Sequence, residues 1–342
     1  MKKKRKLRKG AKIILILMIV GSLAAVGFHV YNTYFRSDGH SATSISASAT
    51  PAVETYSYNG AEYTIKPNVH SYLFMGIDTR DSSKTGTNNN GGQADVQLLL
   101  VMDDINKTWQ LLQINRDSMV DVPILGIDGS VIDTEKKQIC LAHGYGDGKK
   151  VSCINAVNAV SGMLDNRYID GYLSLNYDGI SVVNDDIGGV TVTVQDDFSK
   201  VDPTLVQGQT ITLSGKQAVN YISGRGNVGD QTNISRMARQ KEYLTGMLQK
   251  LSSVNVPTLT KVLNDTQDYV TSGIGFADMV SILMKMKKYE NLGIVTIEGE
   301  SKVEDGHVAY YLDEDSRKQA ILKLYYQEVM PTASPSPSST AK

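Results

Sequence analysis

Short apolar runs alternate with helical patterns through most of this 342-residue chain. Three runs have the length and composition of buried strands: Tyr72–Ile77, Val96–Met102 and Thr108–Ile114. Residues 103–107 are typical of a hairpin turn. Further strands are predicted at Gly171–Leu175, Val190–Val194 and Asn291–Ile297. Helices are predicted at Ser152–Leu164, Tyr177–Ile187, Gly215–Ile222, Ile234–Leu251, Pro257–Tyr269, Phe276–Lys287 and Asp315–Tyr326. This alternation predicts an α/β fold, a layered α-β-α domain with a central mixed sheet.

The N-terminus has the pattern of a membrane anchor. Residues 1–10 form a basic tail, and residues 11–35 follow as a mostly apolar segment in which Ile13–Phe28 carries no charge. Such a segment is long enough for one transmembrane helix, and its basic flank predicts a cytoplasmic N-terminus. A signal peptide cleaved near Ser22–Ala25 is the alternative. The uncleaved anchor is favoured because the apolar character continues beyond that point.

The rest of the chain is expected outside the cytoplasm. Residues 36–55 are small and polar and predict a stalk, residues 56–330 are long enough for one domain, and residues 331–342 predict a flexible tail. Removing the eight N-terminal positive residues from 35 leaves 27 Lys and Arg against 36 Asp and Glu. An acidic exterior argues against nucleic-acid binding, so basic chemistry there must be local.

Cys140 and Cys153 are the only cysteines. An even pair in an oxidising compartment predicts a disulfide. Two thiols without a suitably spaced histidine pair do not predict a zinc site. His143 is expected to have a structural or surface role.

The segment Tyr221–Leu244 combines arginines with a glycine-rich turn that opens into a helix. Backbone N–H groups of such a turn, a helix N-terminus and guanidinium groups all favour phosphate. Arg236 and Gln240 are one helical turn apart and are expected to face the turn that carries Arg225. The alternative is an ordinary solvated helix. A dinucleotide fingerprint is disfavoured because a helical pattern, not a strand, precedes the glycines.

Carboxylates follow and precede two adjacent predicted strands. Asp78 ends the first strand and Asp95 begins the next, after a polar Gly/Asn loop. Oxygen ligands in this arrangement suit Mg²⁺ bound to phosphate, although ordinary turn chemistry explains the same residues. Arg116 ends the third strand and is expected at the same sheet edge.

Four segments together resemble the LytR–CpsA–Psr (LCP) family of bacterial cell-envelope proteins. They are the basic tail with one anchor, GIDTRD…GQADVQLLLVM, LLQINRDSMVDVP and QAVNYISGRGNVGDQTNISRMARQKEYL. The segment IDGYLSLNYDGISVVNDDIGGVTVTV is also similar to the family. The resemblance covers about Tyr72–Leu251.

The resemblance implies roles for individual residues. Asp78 and Asp95 match carboxylates associated with Mg²⁺, and Arg116 matches a pyrophosphate-binding arginine. The same comparison assigns pyrophosphate contacts to Arg225, Arg236 and Gln240. Gln93 and Ser223 stand where the family often has arginine. Arg80 and Arg239 are expected to compensate for those two missing guanidinium groups.

The resemblance also implies a function. Members of this family transfer an anionic glycopolymer from an undecaprenyl-pyrophosphate carrier onto peptidoglycan, and a phosphate-ester leaving group needs charge neutralisation more than a nucleophilic side chain. Asp78 and Asp95 are candidates to assist loss of the acceptor proton. A non-catalytic carrier-binding or regulatory envelope protein is the alternative, and a lipid-pyrophosphate hydrolase is another. All three imply a single-pass protein of the cell membrane.

Overall fold

The computed structural model describes residues 55–79, 91–304 and 306–329. The predicted basic tail, anchor and C-terminal tail lie outside these residues, as do nearly all of the stalk and Arg80. Within the described residues, no helix combines the length and apolar composition needed to cross a membrane.

Fifteen strands and seven α-helices make up the described chain. The strands are β1 (Thr55–Tyr58), β2 (Ala61–Ile65), β3 (Val69–Ile77), β4 (Ala94–Asp103), β5 (Thr108–Ile114), β6 (Met119–Leu125), β7 (Val131–Gln138), β8 (Gly171–Asn176), β9 (Thr191–Thr193), β10 (Thr210–Thr212), β11 (Val270–Ser272), β12 (Glu290–Thr296), β13 (Gly299–Glu304), β14 (His307–Leu312) and β15 (Tyr326–Glu328). The helices are α1 (Lys150–Met163), α2 (Tyr177–Asp186), α3 (Gly215–Ser223), α4 (Asn233–Ser253), α5 (Val256–Asp265), α6 (Phe276–Lys288) and α7 (Glu314–Tyr325). Short 3-10 turns occur at Ile139–Ala142 and Gln267–Tyr269.

The central sheet has six strands in the order β11-β8-β3-β4-β5-β12. The pairs β3/β8 and β5/β12 are parallel, whereas β3/β4, β4/β5 and β8/β11 are antiparallel. The predicted mixed sheet and the hairpin at residues 103–107 are therefore confirmed. Because β3, β4 and β5 run in alternating directions, the residues after β3, before β4 and after β5 meet at the same end of these strands, which we call the sheet edge.

Helices cover both faces of this sheet. Leu99 of β4 packs in one core with Ala156 of α1 and Ile321 of α7. The neighbouring Leu100 points to the other face and packs in a second core with Leu244 of α4 and Ile282 of α6. Side chains of consecutive strand residues point to opposite faces, so an apolar run buried on both faces is what a central strand requires. The predicted α-β-α layering is confirmed.

A third core holds α2, α3 and α4 against the β9/β10 hairpin. The buried Asn184 side chain of α2 donates to the Leu213 carbonyl at 2.8 Å and accepts from the Val190 backbone at 3.1 Å. Gly189 has a φ of 75°, and a Cβ there would lie 2.7 Å from the Leu213 carbonyl oxygen. Glycine is therefore required at this turn.

Candidate active site

The candidate site lies at the edge where β3, β4 and β5 meet. Asp78 follows β3, Asp95 is the second residue of β4, and Arg116 lies two residues beyond β5. The pairing of β3 with β4 shifts register between Gly76 and Ile77, so Ile77 pairs with Ala94 while Gly76 pairs with Val96. The irregularity leaves Asp95 without a cross-strand partner at the strand end. The structure thus brings these three predicted site residues to one place.

Asp95 is the centre of the polar cluster. Its side chain is only 9% exposed. Arg116 donates to Oδ1, whereas Arg236 Nη1 and the Tyr177 hydroxyl donate to Oδ2 at 3.3 and 3.0 Å. A buried carboxylate is tolerated because charged donors surround it.

Tyr177 is a site residue that the sequence analysis does not identify. It begins α2 directly after β8, where the Asn176 side chain accepts from the Gly179 backbone as N-cap. Burial, together with nearby Asp95, raises the pKa of the Tyr177 hydroxyl. The group is therefore a neutral donor. Its position between a predicted strand and a predicted helix is the only local signal that the sequence carries for it, because the pairing of β8 with β3 is visible only in the structure.

Asp78 occupies the exposed rim of the cluster. Its Oδ1 accepts from the Gln93 backbone N–H at 2.6 Å. Desolvation by surrounding protein raises the pKa of Asp78, opposed by that hydrogen bond and by Arg116, while Asp95 adds to the increase. A carboxylate in such surroundings gains from a cation that binds beside it.

Arg116 is held by groups on three sides. Besides Asp95, it donates to the Gln93 side-chain oxygen, and its Nε lies 3.4 Å from Asp117 Oδ1. Burial raises the pKa of Asp117, and Arg116, Arg225 and Arg236 act in the opposite direction. Arg116 and Arg236 therefore contact the Asp95 carboxylate, and Arg225 is close enough to act on the charge of Asp117.

Arg236 enters the cluster from α4. Thr232 caps that helix by accepting from the Ser235 backbone N–H. Arg236 Nε and Nη2 donate to Asn233 Oδ1 at 3.1 and 2.6 Å, and Asn233 donates to Asn115 at 2.7 Å. Burial lowers the pKa of Arg236, and Asp95 opposes the shift. These contacts aim the guanidinium at the sheet edge.

Arg239 is predicted to contact pyrophosphate, but its side chain is buried and bonded within the fold. Arg239 is 2% exposed, and its guanidinium donates to the carbonyls of Tyr221 and Gly224 and to Asp196. All three of its nitrogens are engaged, Nε and Nη2 by carbonyls at the end of α3 and Nη1 by Asp196, and Cζ lies 5.4 Å from the centroid of the Phe198 ring. Arg239 therefore has a structural role.

Gln240 and Ser223 also have partners within the fold. Gln240 Nε2 donates to the Ile222 carbonyl at 3.1 Å, so its amide lies beside the turn as predicted from helical spacing. The Ser223 hydroxyl donates to the Val219 carbonyl at 2.7 Å, one turn back in α3. Its side chain is thus directed along its own helix.

The predicted disulfide is absent, because Cys140 and Cys153 are free thiols. Cys140 Sγ lies 3.9 Å from the Gln93 side-chain oxygen, whereas Cys153 Sγ lies 3.4 Å from Ser174 Oγ and 3.6 Å from His143 Nε2. Burial raises the pKa of Cys140 to about 12 and that of Cys153 to about 11. Each thiol is therefore a buried neutral group with its own neighbours.

An apolar cavity of about 330 Å³ adjoins the charged cluster. It lies between the sheet and α4, α5 and α6, and its walls include Leu98, Leu111, Met247, Leu259 and Ile282. Gln240 lines the cavity one helical turn beyond Arg236, which is about 6 Å along the helix axis. A buried charged site and an apolar cavity are therefore neighbours along one helix.

The donor set fits Mg²⁺ only if a ligand completes it. No group of three or more His, Cys, Asp or Glu side chains suitable for a metal exists among the residues described. Asp78 and Asp95 supply two carboxylates, and Mg²⁺ commonly binds through one or two carboxylates together with substrate phosphates and water. The predicted Mg²⁺ site is chemically reasonable on these terms.

Comparison with known proteins defines the class of this fold and site. The LytR_cpsA_psr family profile matches residues 31–324. The chain belongs to that family.

Individual relatives are distant in sequence and match over about three-quarters or more of this chain. The polyisoprenyl-teichoic acid–peptidoglycan teichoic acid transferase TagU of Enterococcus faecalis is 27% identical over 257 residues, covering 74% of this chain and 78% of TagU. TagT of Bacillus subtilis, described as the same kind of transferase, is 25% identical over 307 residues, covering 85% of this chain and 87% of TagT. The solved structure of TagT bound to LI-WTA superposes with a TM-score of 0.58 at 22% identity, covering 75% and 90% of the two chains. This superposition supports the fold.

Proposed function

We propose that this protein is a membrane-anchored transferase that moves an anionic glycopolymer from a polyprenyl-pyrophosphate carrier onto peptidoglycan outside the cytoplasm. Residues 11–35 are the single span in this proposal, with the N-terminus in the cytoplasm. Family membership and the transferase names of TagU and TagT support the proposal. The basic residues before the apolar segment support the orientation.

The observation that carries the proposal is that a buried cluster of arginines and carboxylates and an apolar cavity are neighbours along α4. Arg116 and Arg236 present guanidinium groups to buried carboxylates, and the cavity begins one helical turn from Arg236. A lipid pyrophosphate has the matching form, with a polyanionic head and an apolar tail. Guanidinium forks bind phosphate oxygens in pairs, so both arginines and Arg225 would neutralise the pyrophosphate.

The proposed reaction needs no nucleophilic side chain. An acceptor hydroxyl oxygen forms a bond to the phosphorus attached to the glycan, and the bond from that phosphorus to the bridging oxygen breaks. The polyprenyl phosphate then leaves with the electron pair, while the hydroxyl proton passes to a base. Asp78 is the candidate base, because its carboxylate is at the accessible rim and its pKa is raised. If Mg²⁺ binds at Asp78 and Asp95, it would neutralise phosphate charge, and Asp78 would then orient the metal instead of acting as the base.

A transfer assay tests the proposal. The full chain in proteoliposomes receives a carrier labelled in its glycan, with or without peptidoglycan. We expect the label to join peptidoglycan with release of one polyprenyl phosphate per glycan, and we expect chelation of Mg²⁺ to stop it. Released soluble glycan phosphate without transfer would identify a hydrolase. Carrier binding without bond cleavage would identify the regulatory alternative.

A further inference from the structure

Helix α6 has apolar residues on its outer side as well as on its inner side. Met279, Ile282, Leu283 and Met286 line the cavity. Phe276, Val280 and Met284 lie at positions i, i+4 and i+8, and Phe276 and Met284 are 54% and 41% exposed. We call these three residues the outer stripe. A surface helix normally presents polar residues to water, so the outer stripe requires an explanation.

The outer stripe is continuous with the cavity lining. At about 100° per residue, the apolar residues from Ile282 through Leu283 and Val280 to Met284 cover an arc of about 200° around the axis. Asp278, Ser281 and Lys285 lie on the remaining arc. One apolar surface thus wraps from the interior of the cavity to the outside of the protein.

A lysine stands where the cavity reaches the surface. Lys287 both lines the cavity and is exposed, and its Nζ donates to the Val254 carbonyl after α4 at 2.7 Å. Lys288 is also exposed, whereas Lys285 pairs with Asp104 at 2.6 Å on the far side of the helix. Lys287 therefore marks a point beside the α4–α5 connection where the cavity wall is exposed, which we call the opening, and Lys287 and Lys288 form an exposed lysine pair at the end of the outer stripe.

We propose that the outer stripe rests on the surface of an anionic phospholipid bilayer and places this opening against the acyl chains. Apolar side chains that enter the boundary between headgroups and acyl chains, with lysines directed to phosphates, are characteristic of interfacial helices. The occupant is a bilayer because the stripe leads without a polar break into an apolar cavity and ends in lysines. The inference rests on the proposed function to the extent that a lipid-linked donor enters from the membrane.

Site-specific fluorescence tests the docking directly. Met284→Cys in the full chain is labelled with an environment-sensitive fluorophore, and the protein is reconstituted in phosphatidylglycerol–phosphatidylcholine vesicles that contain brominated lipids. Asp278→Cys is the matched control, because Asp278 is exposed on the same helix about 120° around the axis from Met284. The native thiols are buried and give a low background.

We expect a blue-shifted emission and strong bromine quenching at position 284, with little quenching at position 278. Equal quenching at both positions would overturn the proposal. Protection of position 284 that appears in lipid-free detergent and grows with protein concentration would also overturn it, because a second copy would then cover the stripe.

A second experiment separates docking from the proposed transfer. The double variant Phe276→Gln, Met284→Gln is assayed with a glycan on a ten-carbon prenyl pyrophosphate in solution and with a full-length carrier in vesicles. We expect normal use of the short donor and about tenfold slower use of the bilayer donor. Unchanged rates on both donors would refute docking while leaving the transferase intact. If wild type uses neither donor, the transferase proposal fails and the fluorescence result still decides docking.

Discussion

The Tyr177 hydroxyl donates to Asp95 Oδ2 at 3.0 Å, and Arg236 contacts the same oxygen at 3.3 Å. Tyr177 belongs to α2 and Arg236 to α4, so one carboxylate joins the sheet edge to two helices. Asp95 is thereby held in one orientation by donors from three segments of the chain.

Removal of the tyrosine hydroxyl tests this arrangement. We expect Tyr177→Phe to lower the free energy of unfolding by about 1–2 kcal/mol, because a hydrogen bond to a buried charged group is lost. We also expect a lower kcat. Tyr221→Phe is the matched control. The Tyr221 hydroxyl donates to Glu242 at 2.7 Å, and neither residue belongs to the Asp95 cluster. Equal losses of kcat in the two variants, measured on folded protein, would contradict a specific role for Tyr177.

Arg236 and Arg239 should respond differently to truncation. We expect Arg236→Ala to weaken carrier binding at least about tenfold, because a charge-assisted phosphate contact is lost. Arg239→Ala should instead lower the free energy of unfolding by about 3 kcal/mol, since it leaves buried carbonyls and Asp196 without their donor. Calorimetric binding and chemical denaturation measure the two effects. Similar losses of affinity in both folded variants would mean that Arg239 also contacts the carrier.

The raised pKa of Asp78 predicts a pH-dependent stability. The folded protein binds the Asp78 proton more tightly than the unfolded chain does. The resulting stability is complete below about pH 4 and is lost as the pH rises through the raised pKa. We therefore expect Asp78→Asn to melt above wild type at pH 8 without Mg²⁺, with little difference at pH 4. Addition of Mg²⁺ together with carrier should raise the melting temperature of wild type but not that of Asp78→Asn.

Asp128→Asn is the control of opposite sign. Hydrogen bonds from Ser130 lower the pKa of Asp128, so its contribution to stability is present at neutral pH and is lost as the pH falls. This variant should melt below wild type at pH 8. If the Asp78→Asn protein were less stable than wild type at pH 8, the fold would favour the charged form of Asp78, which contradicts a raised pKa.

An arginine substituted at position 93 would lie beside the charged cluster, whereas one substituted at position 223 would start from a side chain directed along its own helix. Gln93 contacts Arg116 through its side-chain oxygen, whereas Ser223 bonds back to Val219. We expect Gln93→Arg to tighten carrier binding about tenfold and to lower the free energy of unfolding by about 1 kcal/mol, because it adds a phosphate donor beside another cation. Ser223→Arg should leave affinity unchanged. Tighter binding by Ser223→Arg alone in a titration would reverse this assignment.

The sequence predicts the parts of this protein that depend on local pattern. Apolar runs locate the central strands because those strands are buried on both faces. The β6/β7 and β13/β14 hairpins escape prediction because one strand of each, β7 and β13, is largely exposed, as in the VIDTEKKQ segment of β7. Helical spacing predicts that Gln240 lies near α3 but does not reveal that Arg236 reaches Asp95 or that Arg239 bonds to the Tyr221 carbonyl.

Contacts between distant segments account for the remaining differences. Tyr177 reaches Asp95 only because β8 pairs with β3, a relationship that short-range patterns do not contain. An even number of cysteines predicts a disulfide, but the two thiols have separate neighbours, Gln93 for one and Ser174 for the other. The position of a residue in the chain does not by itself predict which distant side chain it contacts.

Carrier affinity as a function of tail length tests most directly whether the charged cluster and the cavity bind one lipid pyrophosphate. Wild type, Arg236→Ala and Met247→Trp are titrated with prenyl pyrophosphates of ten carbons, twenty carbons and longer. We predict that wild-type affinity rises at least about tenfold from the shortest tail to the longer ones, because buried methylenes add binding energy. Arg236→Ala should weaken all of them by a similar factor, and Met247→Trp should abolish only the length dependence. Wild-type affinity that is independent of tail length would contradict the account.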